Sequence, residues 1–156
     1  MPVVSLSFRF RQPFDAPARA SYDWCTDFRE SDGSLFLERG ERAVLRLTAD
    51  ACVLIDTTYP EGRRRQIRQL VRLNPSELAW TNTHLDGPFR HSQYWYRVIP
   101  DGPRSSHLEF RGFRLVRTSR SLSSSEVARR TKQEQQKDAD YWRRRLAPAL
   151  ARDLSS

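Results

Sequence analysis

The chain has 156 residues, a formal charge of +8 and 38% hydrophobic residues. That length suits a single domain, residues 1–156, burying roughly two thirds of its unfolded surface. No apolar run reaches the ~20 residues that span a bilayer. No charged-then-apolar leader opens the chain, so no membrane span is expected and the cytoplasm is the expected location.

Cys25 and Cys52 lie in apolar-patterned segments without metal-type spacing and read as buried thiols, not as a disulfide. Of the 27 basic residues only Lys132 and Lys137 are lysine. Such a charge permits contact with nucleic acid or an anionic surface. The arginines are scattered, however, at Arg9 and Arg11, Arg63 to Arg72, Arg111 to Arg120 and Arg143 to Arg145. That scatter argues against a dedicated nucleic-acid binder.

Val3 to Phe10 alternates, with Val4, Leu6, Phe8 and Phe10 on one face, which predicts a half-buried strand. In DAPARASYDWCTDF, Asp15 can cap a helix whose first turn holds Pro17. Ala20, Trp24 and Phe28 recur at four-residue spacing, with Ser21 and Cys25 beside them. A short helix is expected over Gly33 to Leu37. Six strands follow between turn signals: Arg42–Leu47, Ala51–Tyr59, Arg64–Leu73, Glu77–Leu85, Phe89–Ile99 and Ser106–Val116. Together they predict an antiparallel meander. Ser123 to Ser125 can cap a long helix over Glu126 to Leu154. Its first half is almost wholly polar, and Trp142, Leu146, Leu150 and Leu154 line one face of its second. Pro148 should kink that helix or end it near Leu146.

This order, with Ala16, Pro17, Ala18, Tyr22, Trp24, Thr26, Asp27 and Phe28, resembles the START-like or helix-grip superfamily (polyketide cyclase/dehydrase, lipid-transfer and pollen-allergen relatives). Ser21 departs from the apolar β-branched residue usual there. The resemblance implies an α+β helix-grip fold. A seven-stranded curved antiparallel sheet would wrap a long C-terminal helix, with two short helices after the first strand and a cavity between sheet and helix.

Strand alternation then assigns faces. A tight hairpin around Asp86 to Phe89 sets His84 opposite His91, Asn82 opposite Gln93 and Trp80 opposite Trp95. Val98 pairs with Leu108 and Tyr96 with Phe110. Val71, Gln69 and Ile67 pair with Ala79, Thr81 and Thr83, and Ile55 meets Ile67. This register groups apolar residues together and leaves Asp56 near Arg64 and Arg68 as a solvated ion pair. It turns Thr57, Tyr59, Gln69, Thr81, Thr83, Ser92, Tyr94, Tyr96 and Phe110 inward, a mostly apolar wall with hydroxyls and one amide that suits a small ligand.

Trp80 and Trp95 face outward beside Leu70 and Leu78. A homodimer or protein contact is the first expectation for that patch, packing by Arg stems the second and base stacking the third. His84 and His91 supply two ligands where a metal needs three or four, so no metal is expected, nor any cofactor. No nucleophile–base–orienter arrangement is visible, and no catalytic residue is assigned. If a cyclase- or dehydratase-type step occurs, Tyr94 or Tyr96 is its proton donor or oxyanion stabiliser.

The expected function is non-catalytic binding of a small apolar or amphipathic molecule, lipid- or polyketide-like, in the internal cavity. The alternatives are a polyketide cyclase/aromatase-like enzyme and a basic protein- or nucleic-acid-interaction module using the outer Trp/Arg face.

Overall fold

The structure, a computed structural model, describes residues 1–37 and 40–155 apart from the side chains of residues 34 and 36. Its elements are β1 (Val3–Phe14), α1 (Ala18–Thr26), α2 (Gly33–Phe36), β2 (Gly40–Thr48), β3 (Ala51–Thr58), β4 (Arg65–Asn74), β5 (Ala79–His84), β6 (Gln93–Gly102) and β7 (Ser105–Arg117). A C-terminal helix follows as α3 (Ser124–Tyr141), a π-helical turn (Trp142–Leu146) and α4 (Ala147–Leu154). The strands form one antiparallel seven-stranded sheet in the order β1-β7-β6-β5-β4-β3-β2, as the helix-grip expectation requires.

The alternation foreseen for β1 continues to Phe14, with Leu6, Phe8, Gln12 and Phe14 buried. In α1 the buried stripe is Ala18, Ser21, Tyr22 and Cys25, one position off the expected Ala20–Trp24–Phe28 line. Pro17 is its N-cap, and no side chain caps it, so Asp15 does not serve there. Ser21, the departure from the superfamily pattern, is fully buried because its hydroxyl meets Ser106 Oγ at 3.2 Å. Both cysteines are buried and free.

Ser123 closes a capping box on α3, accepting from the Glu126 amide at 3.2 Å while Glu126 Oε2 accepts from the Ser123 amide at 2.8 Å. No residue of α3 is buried; the helix is anchored further on, by Trp142, Leu146, Ala149 and Leu150. Pro148 does not end it. The α-helical pattern gives way to the π turn that ends at Leu146, where the Ala147 amide bonds the Trp142 carbonyl, and resumes as α4 with Pro148 as its second residue. Among the described residues no helix is long and apolar enough to cross a membrane.

The pairing of β6 with β7 is the expected one, Tyr96 opposite Phe110 and Val98 opposite Leu108. Three other registers differ. His91 adopts φ 72°, and His84 bonds to both His91 and Ser92, so two residues oppose one as in a bulge. That extra residue sets Trp80 opposite Tyr96 and Asn82 opposite Tyr94. Leu78, at φ 51°, lengthens the preceding turn and puts Gln69 opposite His84 instead of Thr81. Ile67 faces Asp56, not Ile55.

Each shift is odd, and an odd shift moves a strand's side chains to the other face. Trp80, Asn82, His84, Leu54 and Asp56 therefore turn inward, while Thr81, Thr83, Val53 and Ile55 turn outward. The energetic reason is Trp80. It is buried at 5% exposure, stacked on Tyr96 at 4.6 Å and edge-on to Tyr22. Burying a tryptophan removes far more apolar surface from water than burying a threonine.

Candidate ligand cavity

A cavity of about 580 Å³ lies between the inner face of the sheet and the C-terminal helix. Tyr96, Phe110, Phe89, Trp142 and Leu146 give it apolar walls. The π turn contributes several of its lining residues, and such turns often mark functional positions.

One wall carries a directed chain of hydrogen bonds. Arg42 donates to both oxygens of Asp56, at 2.7 and 3.0 Å, with each side chain only 6% exposed. A carboxylate only accepts, so Gln69 turns its Nε2 toward Asp56 Oδ2, at 2.9 Å. The Gln69 oxygen then accepts from Asn82 Nδ2 at 2.7 Å, which leaves Asn82 Oδ1 without a partner. Asn82 Oδ1 and, one inward position along β5, His84 Nδ1 are buried atoms without a hydrogen-bond partner. Burial, assisted by the Arg114 charge, lowers the His84 pKa to about 4, so this imidazole is neutral near pH 7.

A second cluster ties sheet to helix. Arg114 Nε donates to the Tyr94 hydroxyl at 2.8 Å, and its other nitrogens reach Glu134 at 2.6 Å and Asp138 at 2.7 Å. Its guanidinium also lies over the rings of Phe8, Phe89 and Tyr94. Burial raises the pKa of Asp138 despite the attraction of Arg114, and burial also raises those of Tyr94 and Tyr96. Both phenols therefore keep their protons near neutrality and can donate a hydrogen bond, but neither is poised as a base.

The residues expected on the wall are distributed unevenly. Gln69, Tyr94, Tyr96 and Phe110 line the cavity. Thr81 and Thr83 lie on the outer face, carried there by the bulge at His91; Thr57 shares that parity but is buried and accepts from Gln66 Nε2 at 3.3 Å. Tyr59 falls outside β3 and is 48% exposed. Ser92 is fully buried; its oxygen accepts from the Leu115 amide at 2.8 Å and its hydroxyl also bonds Tyr94. The expected outward pair is split, because Trp80 is in the core while Trp95 stays on the outer face under the Arg111 guanidinium, 5.0 Å from its ring centre.

Asn82, His84, Asp56, Arg42 and Arg114 were not foreseen as lining residues. The signal available for Asp56 was its place as the one charge in Ala51–Thr58; Arg42, in a strand that also holds Glu41 and Arg46, offered none. Asp56 does not pair with Arg64 or Arg68; Arg68 binds Asp86 instead, at 2.8 Å. His91 is exposed and meets His84 through its backbone amide, while His107 is buried against Asp101. Among the described residues no group of His, Cys, Asp or Glu is arranged to hold a metal ion.

No family model matches the sequence, and no curated protein matches it by sequence. Solved structures do match the fold. The Zhui aromatase/cyclase from Streptomyces sp. R1128 superposes with a TM-score of 0.70 at 14% identity, over 96% of this chain and 93% of that one. A START superfamily protein from Mycobacterium smegmatis gives 0.62 at 15% identity, over 88% and 96%. A norcoclaurine synthase point mutant from Thalictrum flavum gives 0.64 at 11% identity, over 100% and 99%. The fold is thus START-like, of the helix-grip type.

Proposed function

We propose that the chain binds a small amphipathic molecule, polyketide- or lipid-like, in the cavity beneath the C-terminal helix. Its apolar body packs against Tyr96, Phe110, Trp142 and Leu146, and a hydroxyl donates to Asn82 Oδ1. The observation that carries this is that two residues lining the cavity, Asn82 and His84, each hold a buried polar atom without a hydrogen-bond partner. A buried polar atom without a partner costs about 1–3 kcal/mol, which a ligand hydroxyl recovers. In this reading residues 1–156 act as one cytosolic domain.

Native mass spectrometry of the purified protein, alone and with 2-naphthol as a hydroxylated probe, tests the proposal. A bound small molecule, or a naphthol adduct weakened by Asn82→Leu, supports it. A protein that is empty and takes up no naphthol overturns it.

A second reading, a cyclase-type enzyme, has its own support. A neutral His84 lies ring-to-edge with Tyr94 at 5.4 Å, and the Tyr94 hydroxyl is polarised by Arg114. A proton acceptor and a proton donor thus share one wall. Two of the similar structures are an aromatase/cyclase and a synthase by their descriptions, which adds analogy. Turnover of an aromatic polyketide mimic that survives both His84→Phe and Tyr94→Phe would remove this reading.

A further inference from the structure

The outer face of the sheet carries a second concavity, of about 820 Å³. Its floor is the backbone of the row Phe10–Phe110–Tyr96–Trp80–Leu73, whose side chains point the other way, into the core. Two rows of outward side chains rise on either side. One runs Arg9, Arg111, Trp95, Thr81 and Arg72 in register across five strands. The other includes Arg11, Glu109 and Arg97.

The dimensions follow from sheet geometry. Residues two apart on a strand put the walls about 7 Å from each other, and four steps between strands make the trough about 19 Å long. A single extended chain fits that slot. The two backbones of a duplex are held ~12 Å apart across the major groove, so they do not both enter it.

The charge selects the chain. Five guanidiniums and one carboxylate, Glu109, line the trough. Arg11 is engaged with Asp101 at 3.5 Å and Arg97 with Glu77 at 3.2 Å. Among the described residues, Arg9, Arg72 and Arg111 have no carboxylate partner, and all three are exposed. Trp95 stands in the middle of that same wall, braced by Arg111. Cations along a groove with an aromatic ring among them match a strand that carries phosphates and flat bases. An acidic peptide would use the arginines but not the ring.

We propose that this trough binds single-stranded nucleic acid, with Arg9, Arg72 and Arg111 on phosphates and Trp95 stacked on a base. Arginines far apart in the sequence reach one wall because strand register aligns them. The site is on the opposite face of the sheet from the ligand cavity and does not depend on it.

Fluorescence anisotropy with a labelled oligothymidylate of ~12 nucleotides tests this. Affinity should fall with salt, with a log–log slope of about −0.7 for each phosphate neutralised, or about −2 for three arginines. Arg9→Gln/Arg72→Gln/Arg111→Gln should weaken binding at least ~10-fold and flatten that slope. Trp95→Ala should weaken it ~5- to 100-fold while leaving any binding of oligoglutamate unchanged. A control, Arg129→Gln/Lys132→Gln/Arg152→Gln, removes equal charge from the C-terminal helix.

Near-UV circular dichroism confirms that each variant is folded. The proposal is overturned if the control costs as much as the trough variant. It is equally overturned if duplex or oligoglutamate binds as well as the single strand, or if the wild type is a dimer broken by Trp95→Ala.

Discussion

Asn82 donates its Nδ2 to Gln69 Oε1 at 2.7 Å, and the direction of that one bond decides what the cavity presents. Gln69 is oriented in turn by Asp56, so the unpartnered end of the chain is an acceptor. Gln69→Leu breaks the relay at its centre, freeing the Asn82 amide to turn over and taking one donor from Asp56. The expected loss is about 1–3 kcal/mol in urea denaturation, with weaker naphthol binding.

Arg42 and Asp56 form the buried end of the relay, each side chain 6% exposed. Arg42→Met strands a carboxylate in the interior and should cost about 3–5 kcal/mol, whereas Arg42→Met/Asp56→Leu should regain most of that loss. A double-mutant cycle by chemical denaturation checks both. If the double variant is as unstable as the single one, the pair is held by contacts other than its own charges.

Acid should expose the cost of burying His84. Its folded-state pKa is lowered to about 4 from an ordinary 6.5, by burial first and the Arg114 charge second, with Asp56 and Asp86 opposing. Between those values the unfolded chain binds more protons than the folded one. Stability therefore falls as the pH drops from about 6.5 toward 4, by up to about 3 kcal/mol, and this contribution is flat below that. Asp138, whose pKa is raised, works in the opposite sense. The difference between wild type and His84→Phe isolates the imidazole, and NMR titration of its ring protons reads the pKa directly.

Arg114 is the tether between β7 and the polar half of the helix. α3 packs through half-buried residues such as Val127 and Tyr141, and the bonds to Glu134 and Asp138 reinforce that limited packing. Arg114→Met should lower amide hydrogen-exchange protection across Ser124–Tyr141 before it affects β7. A loss of about 2–4 kcal/mol is expected, since Asp138 is left partly buried without its partner. Uniform loss of protection over the whole chain would mean that the helix does not open by itself.

The two tryptophans of the β5–β6 hairpin should behave oppositely. Trp80→Ala empties a core position and should cost about 3–5 kcal/mol. Trp95→Ala, on the outer face, should change stability by less than about 1 kcal/mol. Equal costs would contradict the register that separates them.

Element order, strand and helix positions, the Ser123 cap and the inward set of Tyr94, Tyr96, Val98, Leu108 and Phe110 were legible as pattern. They depend on periodicity within a segment and on the regular pairing of β6 with β7. The polar half of the cavity was not legible. Placing Asn82, His84 and Asp56 requires knowing turn lengths, and the left-handed residues His91 and Leu78 gave no warning because neither is glycine.

By itself, then, the sequence determined which segments pair and what chemistry they carry, since alternation and turn residues act locally. Only the tertiary structure decided which alternate residues face the core. A strand repeats every two residues, so one added by a bulge exchanges its faces, and the gain from burying Trp80 selects that exchange. The same cross-strand alignment gathers Arg9, Arg72 and Arg111 onto one wall, a juxtaposition that no local pattern contains.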